Sequence, residues 1–171
     1  MNIDFSFHNP TRIHFGRTAM DHLPEELRQY GPRVLLVYGK GSVKREGIYD
    51  AVMKCLNDTG KQVVELSGIN SNPRYSQVLE GCRLVREHHA DLILAVGGGS
   101  VIDCCKAIAA GAYCEDDPWQ HFWVNNGALP SHVVPLGTGL TMAGTASEMN
   151  SGSVITNEAI KIKAGYHFPA T

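Results

Sequence analysis

This sequence holds no apolar run near the ~20 residues of a membrane-spanning helix, and no membrane association is expected of it. It has no excess of basic charge. Fifteen Lys and Arg stand against 17 Asp and Glu, for a net charge of −2, which gives no electrostatic footprint for nucleic acid. The opening residues, Met1-Asn2-Ile3-Asp4-Phe5, carry neither a basic region nor an apolar core and do not read as a secretory leader. There is no CxxC pair among the five cysteines, Cys55, Cys82, Cys104, Cys105 and Cys114. An odd number at irregular spacing points to reduced thiols in a cytoplasmic protein. There is also no HExxH and no pair of histidines at helical i, i+4 spacing among the eight present. His88 and His89 are adjacent, and neighbours on a helix do not face one site, so no metal site built from this chain alone is expected. Repeats, low-complexity stretches and flexible linkers are missing too, and residues 1–171 read as one domain.

What is present is 43% hydrophobic residues, enough for a real core, arranged as apolar runs alternating with helical patterns. Phe5, Phe7, Ile13 and Phe15 alternate with polar or small residues around Pro10 and predict an N-terminal β-hairpin. Ala19–Tyr30 carries Leu23 and Leu27 at helical spacing. Val34–Tyr38 reads as a buried strand, Ile48–Asn57 as a helix stopped by Gly60, and Val63–Leu66 as a strand. A helix over Ser76–His89, a strand over Leu92–Val96 and a helix from Val101 to about Ala112 follow, with further strands expected at His132–Leu136 and Gly152–Thr156. The last residues, Tyr166–Thr171, give no sign of a helix or strand. Strands that are continuous apolar runs, alternating with helices, predict an α/β, Rossmann-like parallel sheet with helices on both faces. Such sheets take ligands beyond the carboxyl ends of their strands.

Three segments fall at such ends. Gly97-Gly98-Gly99-Ser100 separates the Leu92–Val96 run from the next helix. Residues without side chains let a backbone approach a ligand, and the free N–H groups of a helix start favour an anion. That is the geometry of a phosphate cradle, although a purely structural turn explains similar sequences. Asp103 and Lys106 fall on the first two turns of the helix, where they either border the cradle or serve as a dipole-favouring acid and a solvated lysine. The second segment, Gly137–Glu148, alternates small residues with hydroxyls, among them Thr138, Thr141 and Thr145 beside Met142. Its place at a strand end favours contact with a flat ring and phosphate over the alternative, a loop capped by Thr145 or Ser147. The third is Tyr38-Gly39-Lys40-Gly41-Ser42-Val43-Lys44. An acid near the ribose accepts its 2′-hydroxyl and repels a 2′-phosphate. Here Gly39 ends the strand and Ser42 and Lys44 bring a hydroxyl and a charge, which favours NADP over NAD unless these are ordinary solvated charges. Cys104 and Cys105 read as core residues.

Together these residues resemble the iron-containing (group III) alcohol dehydrogenases, and within them the butanol dehydrogenase-like, NADPH-dependent aldehyde reductases. The resemblance runs through Asn9–Gly16, Tyr38–Lys44, Gly68–Pro73, Leu94–Asp103 with Lys106, and Thr145–Asn157. GGGSVID, TASEMN and VITN are specific in combination. The resemblance implies hydride transfer between NADPH and an aldehyde, with iron or zinc polarising the carbonyl. It implies that Gly98, Gly99 and Ser100 hold the pyrophosphate, with Gly97 and Thr138 also in the cofactor site, that Asp103 lies by the nicotinamide, and that Thr141, Met142 and Thr145 border adenine and phosphates. Lys163 is similar to a family lysine that reaches the cofactor, and Gly39 stands where NAD-preferring members carry an aspartate. Gly41, Ser42 and Lys44 line the ribose end, the last two as candidates for the 2′-phosphate.

Two departures from the family pattern lie within these segments: Gly139-Leu140 where a proline is frequent, and Ala146 where glycine is common. A third follows from length, because the family's metal-binding aspartate and histidines, on a helical domain, fall beyond residue 171. The chain is therefore expected to bind NADP without turning over substrate. A stand-alone dinucleotide-binding or partner-binding module without catalysis is the alternative. Glycerol dehydrogenase and dehydroquinate synthase relatives are disfavoured by SEMN and VITN. A homo-oligomer is expected, because an uncovered cleft face and edge strands invite association.

Overall fold

The computed structural model describes residue 4 and residues 9–168. Four parallel strands form one sheet in the order β2-β1-β3-β4: β1 (Arg33–Tyr38), β2 (Gln62–Leu66), β3 (Leu92–Gly97) and β4 (Leu136–Leu140). The central strands are buried on both sides, which is why their sequences are unbroken apolar runs. Side chains alternate between the faces with the two-residue period of a strand. Val34, Leu36, Tyr38, Leu92, Leu94 and Val96 face α1 (Leu23–Arg28), α2 (Ser42–Arg45) and α3 (Ile48–Asp58), through Leu27, Val43, Val52 and Leu56. Leu35, Val37, Ile93 and Ala95 face α4 (Tyr75–His88) and α5 (Gly99–Gly111). The helices thus lie on both faces of a Rossmann-like sheet, as the alternation predicts.

Between α4 and α5 the approach is close. A Cβ on Gly81 would stand 2.3 Å from Ile108 Cδ1, so any larger residue there must displace the Ile108 side chain. Cys82, Cys104 and Cys105 are buried in this layer. Burial pushes the Cys82 thiol up to about 12 and raises Cys104 and Cys105 as well. They are packing residues, as their apolar setting suggests.

The chain after α5 departs from the expected pattern. A π-helical turn, Trp119–Val124, stacks Trp119 on Trp123 with ring centroids 5.1 Å apart. The strand expected at His132–Leu136 is instead β4, four residues later. Gly137 and Gly139 lie opposite Leu94 and Val96 in the ladder, and backbone pairing to β3 outweighs their low strand propensity. The segment 152–167 forms an antiparallel hairpin of β5 (Gly152–Asn157) and β6 (Ile162–His167), which places Tyr166 and His167 in a strand that the sequence did not announce. Of the expected N-terminal hairpin, Phe5 and Phe7 lie outside the described residues. Residues 11–15 form no strand, because no partner strand lies beside them among the described residues.

Candidate functional site

The crossover from β2 to β3 passes β1, so the chain changes direction across the sheet between β1 and β3. Helices α3 and α4 lie on opposite faces at this point. In open α/β sheets this switch, at the carboxyl ends of the strands, is where ligands bind. Tyr38 is the register partner of Val96, so Gly39 and Gly97 stand side by side at the carboxyl ends of β1 and β3. The two glycine turns singled out in the sequence therefore border one cleft.

Each glycine of the triplet has its own reason. Gly97 has φ +159, and a Cβ there would approach Val101 Cγ2 to 2.7 Å. A Cβ on Gly99 would meet Thr145 Oγ1 at 2.7 Å and Ser147 Oγ at 3.0 Å, so the 145–147 loop lies directly against the helix start. Gly98, the N-cap of α5, is different. Its backbone is extended (φ −85, ψ −177), and nothing stands within 4 Å of an added Cβ. Packing gives no reason for glycine there, whereas an approaching ligand does. The first N–H groups of α5, at Gly99 and Ser100, precede the helix's own ladder and are free to meet an anion. These residues fit a phosphate group.

The rim is tied together from several elements. Ser100 donates its hydroxyl to Ser71 O at 2.5 Å, and Lys163, on β6, donates to Asn72 Oδ1 at 2.8 Å. Gln77 holds the same loop, accepting from Arg74 N and donating to Gly68 O. Thr141 N–H bonds Gly97 O at 3.0 Å, fixing the end of β4 beside the triplet, and Met142 is exposed. Thr145 and Ser147 share a hydroxyl hydrogen bond of 2.8 Å. Between them Ala146 has φ +52, the left-handed region that an L-residue enters at a cost of roughly 1–2 kcal/mol. A backbone bent this way explains the glycine preference noted at that position. Thr138 lies inside β4 opposite Ala95, two residues back from the triplet, rather than in a loop.

Asp103 and Lys106 both bond the segment that leads into and forms the start of β5. Asp103 Oδ2 accepts Val154 N–H at 3.1 Å and its carbonyl accepts the Ser153 hydroxyl, while Oδ1 is buried with no partner among the described residues. Lys106 is no solvated lysine: it is 2% exposed. Its ammonium donates to Asn150 O (2.6 Å), Asn150 Oδ1 (3.2 Å) and Gly152 O (2.8 Å), using all three of its N–H donors. Burial lowers its pKa, and the carboxylates of Asp103 and Glu148 oppose that shift. The sequence offers no signal for this partnership, since the two ends are 44 residues apart.

At the β1 end, Gly39 leaves ordinary space, with Ile69 O 3.8 Å from an added Cβ. Gly41 is the N-cap of α2 and Ser42 its first residue. Lys44 does not simply extend into solvent. Its Nζ stands 4.4 Å from the centre of the Tyr49 ring and 5.1 Å from that of Tyr38. Contact with the Tyr38 hydroxyl raises its pKa. Both phenols bond Glu65, Tyr38 to Oε2 at 2.5 Å and Tyr49 to Oε1 at 2.8 Å. Glu65, an acid at the end of the second strand, and Tyr49 are residues that the sequence reasoning passed over.

Among the described residues no group of three or more His, Cys, Asp or Glu gathers to hold a metal, and no helix is long and apolar enough to cross a membrane. A cavity of about 90 Å³ lies at the opposite end of the sheet, against Arg33, Gln62, Leu84 and His88, and takes no part in the cleft.

The fold and cleft thus define a Rossmann-like α/β unit with a glycine cradle at its switch point. Residues 10–171 match the family model described as iron-containing alcohol dehydrogenase, and the chain belongs to that family. It is 52% identical over 166 residues to the probable NADH-dependent butanol dehydrogenase 1 of Bacillus subtilis, covering 97% of this chain and 42% of that protein. It is 42% identical to an NADPH-dependent aldehyde reductase of Escherichia coli, covering 96% of this chain and 42% of that protein. The crystal structure of NADH-dependent butanol dehydrogenase A from Thermotoga maritima superposes with a TM-score of 0.91 at 40% identity, over 98% of this chain and 42% of that one. The chain therefore spans about two fifths of the length of these relatives.

Proposed function

We propose that this chain is the cofactor-binding part of an alcohol dehydrogenase or aldehyde reductase that prefers NADPH. The carrying observation is Gly98: a glycine at a helix start, in an unstrained conformation, facing open space at the switch point of the sheet. Gly97–Ser100 would receive the pyrophosphate, with Thr141, Met142 and Thr145 along the adenine and phosphate side and Lys163 at the rim. Gly39, Gly41, Ser42 and Lys44 would receive the ribose end. The chemistry that a bound NADPH supplies is donation of hydride to the carbonyl carbon of an aldehyde. The chain's own residues bind and orient: N–H groups of α5 meet charge, the 145–147 loop closes the helix start, and Asp103 presents a buried carboxylate oxygen beside β5. The described residues do not fit a metal, so the chemistry proposed for this chain is confined to holding the cofactor, and turnover by the chain alone is not expected.

The named relatives include both NADH- and NADPH-dependent enzymes. NADPH is favoured here because no acid stands at Gly39 and because Lys44 supplies a charge beside it. Association into a homo-oligomer in the cytoplasm belongs to the same proposal, supported by Phe15, 99% exposed, and Ile13, 49% exposed.

The test is a fluorescence titration of the chain and of Gly98→Ala with NADPH and NADH. A methyl group in open space leaves thermal stability unchanged and obstructs the phosphate, so NADPH binding falls by more than about ten-fold. Unchanged binding in the variant, or none in the parent, would reduce the triplet to a structural turn.

A further inference from the structure

Glu65 stands where an acid would be expected to work against the proposed cofactor. It lies at the carboxyl end of β2, opposite Leu36 in the ladder. The chain that follows returns to Gly39, through Gly68 N–H to Gly39 O at 3.1 Å and Ile69 N–H to Tyr38 O at 3.2 Å. A free carboxylate there would accept a ribose hydroxyl and repel a 2′-phosphate. It is not free, because each of its oxygens accepts a phenol.

We infer that Glu65 is a positioning residue for cofactor choice: engaged by Tyr38 and Tyr49, it fixes the two rings that hold Lys44 beside the ribose end of the cleft, and so favours NADPH. This rests on the nucleotide-binding reading above and adds the device that sets its preference.

Three observations carry it. Tyr38 is 3% exposed and belongs to the core face of β1, so one ring is fixed by packing. Tyr49 comes from α3, a different element, and its ring meets Tyr38 edge-on, at 5.3 Å between centroids and 61° between planes. The carboxylate bridges the two hydroxyls, and the ammonium of Lys44 lies against both rings. A lysine on a four-residue helix is placed here by the ring pair, which restricts its ammonium to one region. Both phenol donors also draw on the negative charge of Glu65, so less of it acts on an incoming phosphate or on Lys44. Hydrogen bonding to Glu65 raises the pKa of Tyr49, as expected of a phenol donating to a carboxylate.

Removing one hydroxyl separates this device from mere packing. Tyr49→Phe keeps the ring and the cation–π contact but frees one carboxylate oxygen. The freed charge draws Lys44 into a direct ion pair and repels a 2′-phosphate, and both effects weaken NADPH alone. NADH has no phosphate at that position.

The experiment titrates NADPH and NADH, by fluorescence, into the 171-residue chain and into Tyr49→Phe and Tyr49→Phe/Glu65→Gln. The expected result is a preference for NADPH in the parent that falls about three- to ten-fold in Tyr49→Phe, the size of one solvent-screened charge interaction. Neutralising the acid in the double variant restores the preference to within about two-fold of the parent. An unchanged ratio in Tyr49→Phe, an equal loss for both cofactors, or a double variant that shows no recovery overturns the role of Glu65 while leaving the nucleotide site standing. A parent that binds neither cofactor, or binds NADH more tightly, removes the reading on which the inference rests.

Discussion

The strands at the centre of the sheet and the strands of the β5–β6 hairpin are held by different forces. β1 and β3 are clasped by helices on two sides, and nearly every side chain is buried among aliphatic neighbours. The hairpin alternates exposed and covered residues, with Val154, Ile160 and Ile162 exposed. Beside Ile155, which is buried in the core, it is fastened to α5 by several polar bonds: the ammonium of Lys106 to residues 150 and 152, the Ser153 hydroxyl to Asp103 O, and Val154 N–H to Asp103 Oδ2. Its other attachments are similar. Thr156 N–H bonds Pro73 O at 2.9 Å, and Ser76 bonds Glu158. Apolar burial is spread over many contacts and tolerates the loss of any one. Polar fastening concentrates stability in a few bonds that fail one at a time.

That contrast can be broken from either side. Lys106→Ala gives the largest effect, because it removes three hydrogen bonds, leaves Asn150 Oδ1 with only the Gly152 N–H, and opens a cavity. A loss of about 2–4 kcal/mol is expected. Hydrogen exchange should rise first in residues 150–157, with protection in β1 and β3 falling less. Uniform loss across the chain would mean that the hairpin and sheet unfold as one unit. Gly81→Ala attacks the other region. Its methyl group meets Ile108 in the α4–α5 contact and costs about 1–3 kcal/mol by overpacking. Here protection should fall in the sheet and its helices together, and a melting temperature equal to that of the parent would contradict the packing argument. The smallest effect comes from Asp91→Asn at the amino end of β3. Asp91 accepts Arg33 N–H and Nε–H on Oδ2 and Arg33 Nη2–H on Oδ1, and the guanidinium lowers its carboxyl pKa. A carboxyl lowered on folding stabilises above its unfolded value of about 3.9 and loses that contribution as pH falls through the folded value. The parent should therefore exceed the variant at neutral pH, and the difference should close below about pH 4. A difference independent of pH would leave shape, not charge, as the role of Asp91.

The division also explains what the sequence disclosed. Val34–Tyr38, Leu92–Val96 and the helices that cover them announce themselves by runs and spacing, because their environment is uniformly apolar. β4 was displaced because Gly137 and Gly139 resemble a turn, and only the ladder to β3 makes them a strand. β6 went unseen because Lys163 and Gly165 carry no strand preference of their own. At the cleft the glycine triplet was legible as a local pattern. The phenol pair on Glu65 and the bonds of Lys106 to Asn150 were not, since they join residues 16 or more positions apart through side chains whose local sequence looks like ordinary surface.

Lys106 carries one more consequence. An amine that donates to three protein oxygens beneath a hairpin is out of reach of acylating reagents, whereas Lys40 and Lys54 stand in the open. Its modification must wait for residues 150–152 to lift away. The slow clock of a single covalent label on Lys106 thus counts how often this edge of the molecule opens, against the immediate labelling of its exposed neighbours.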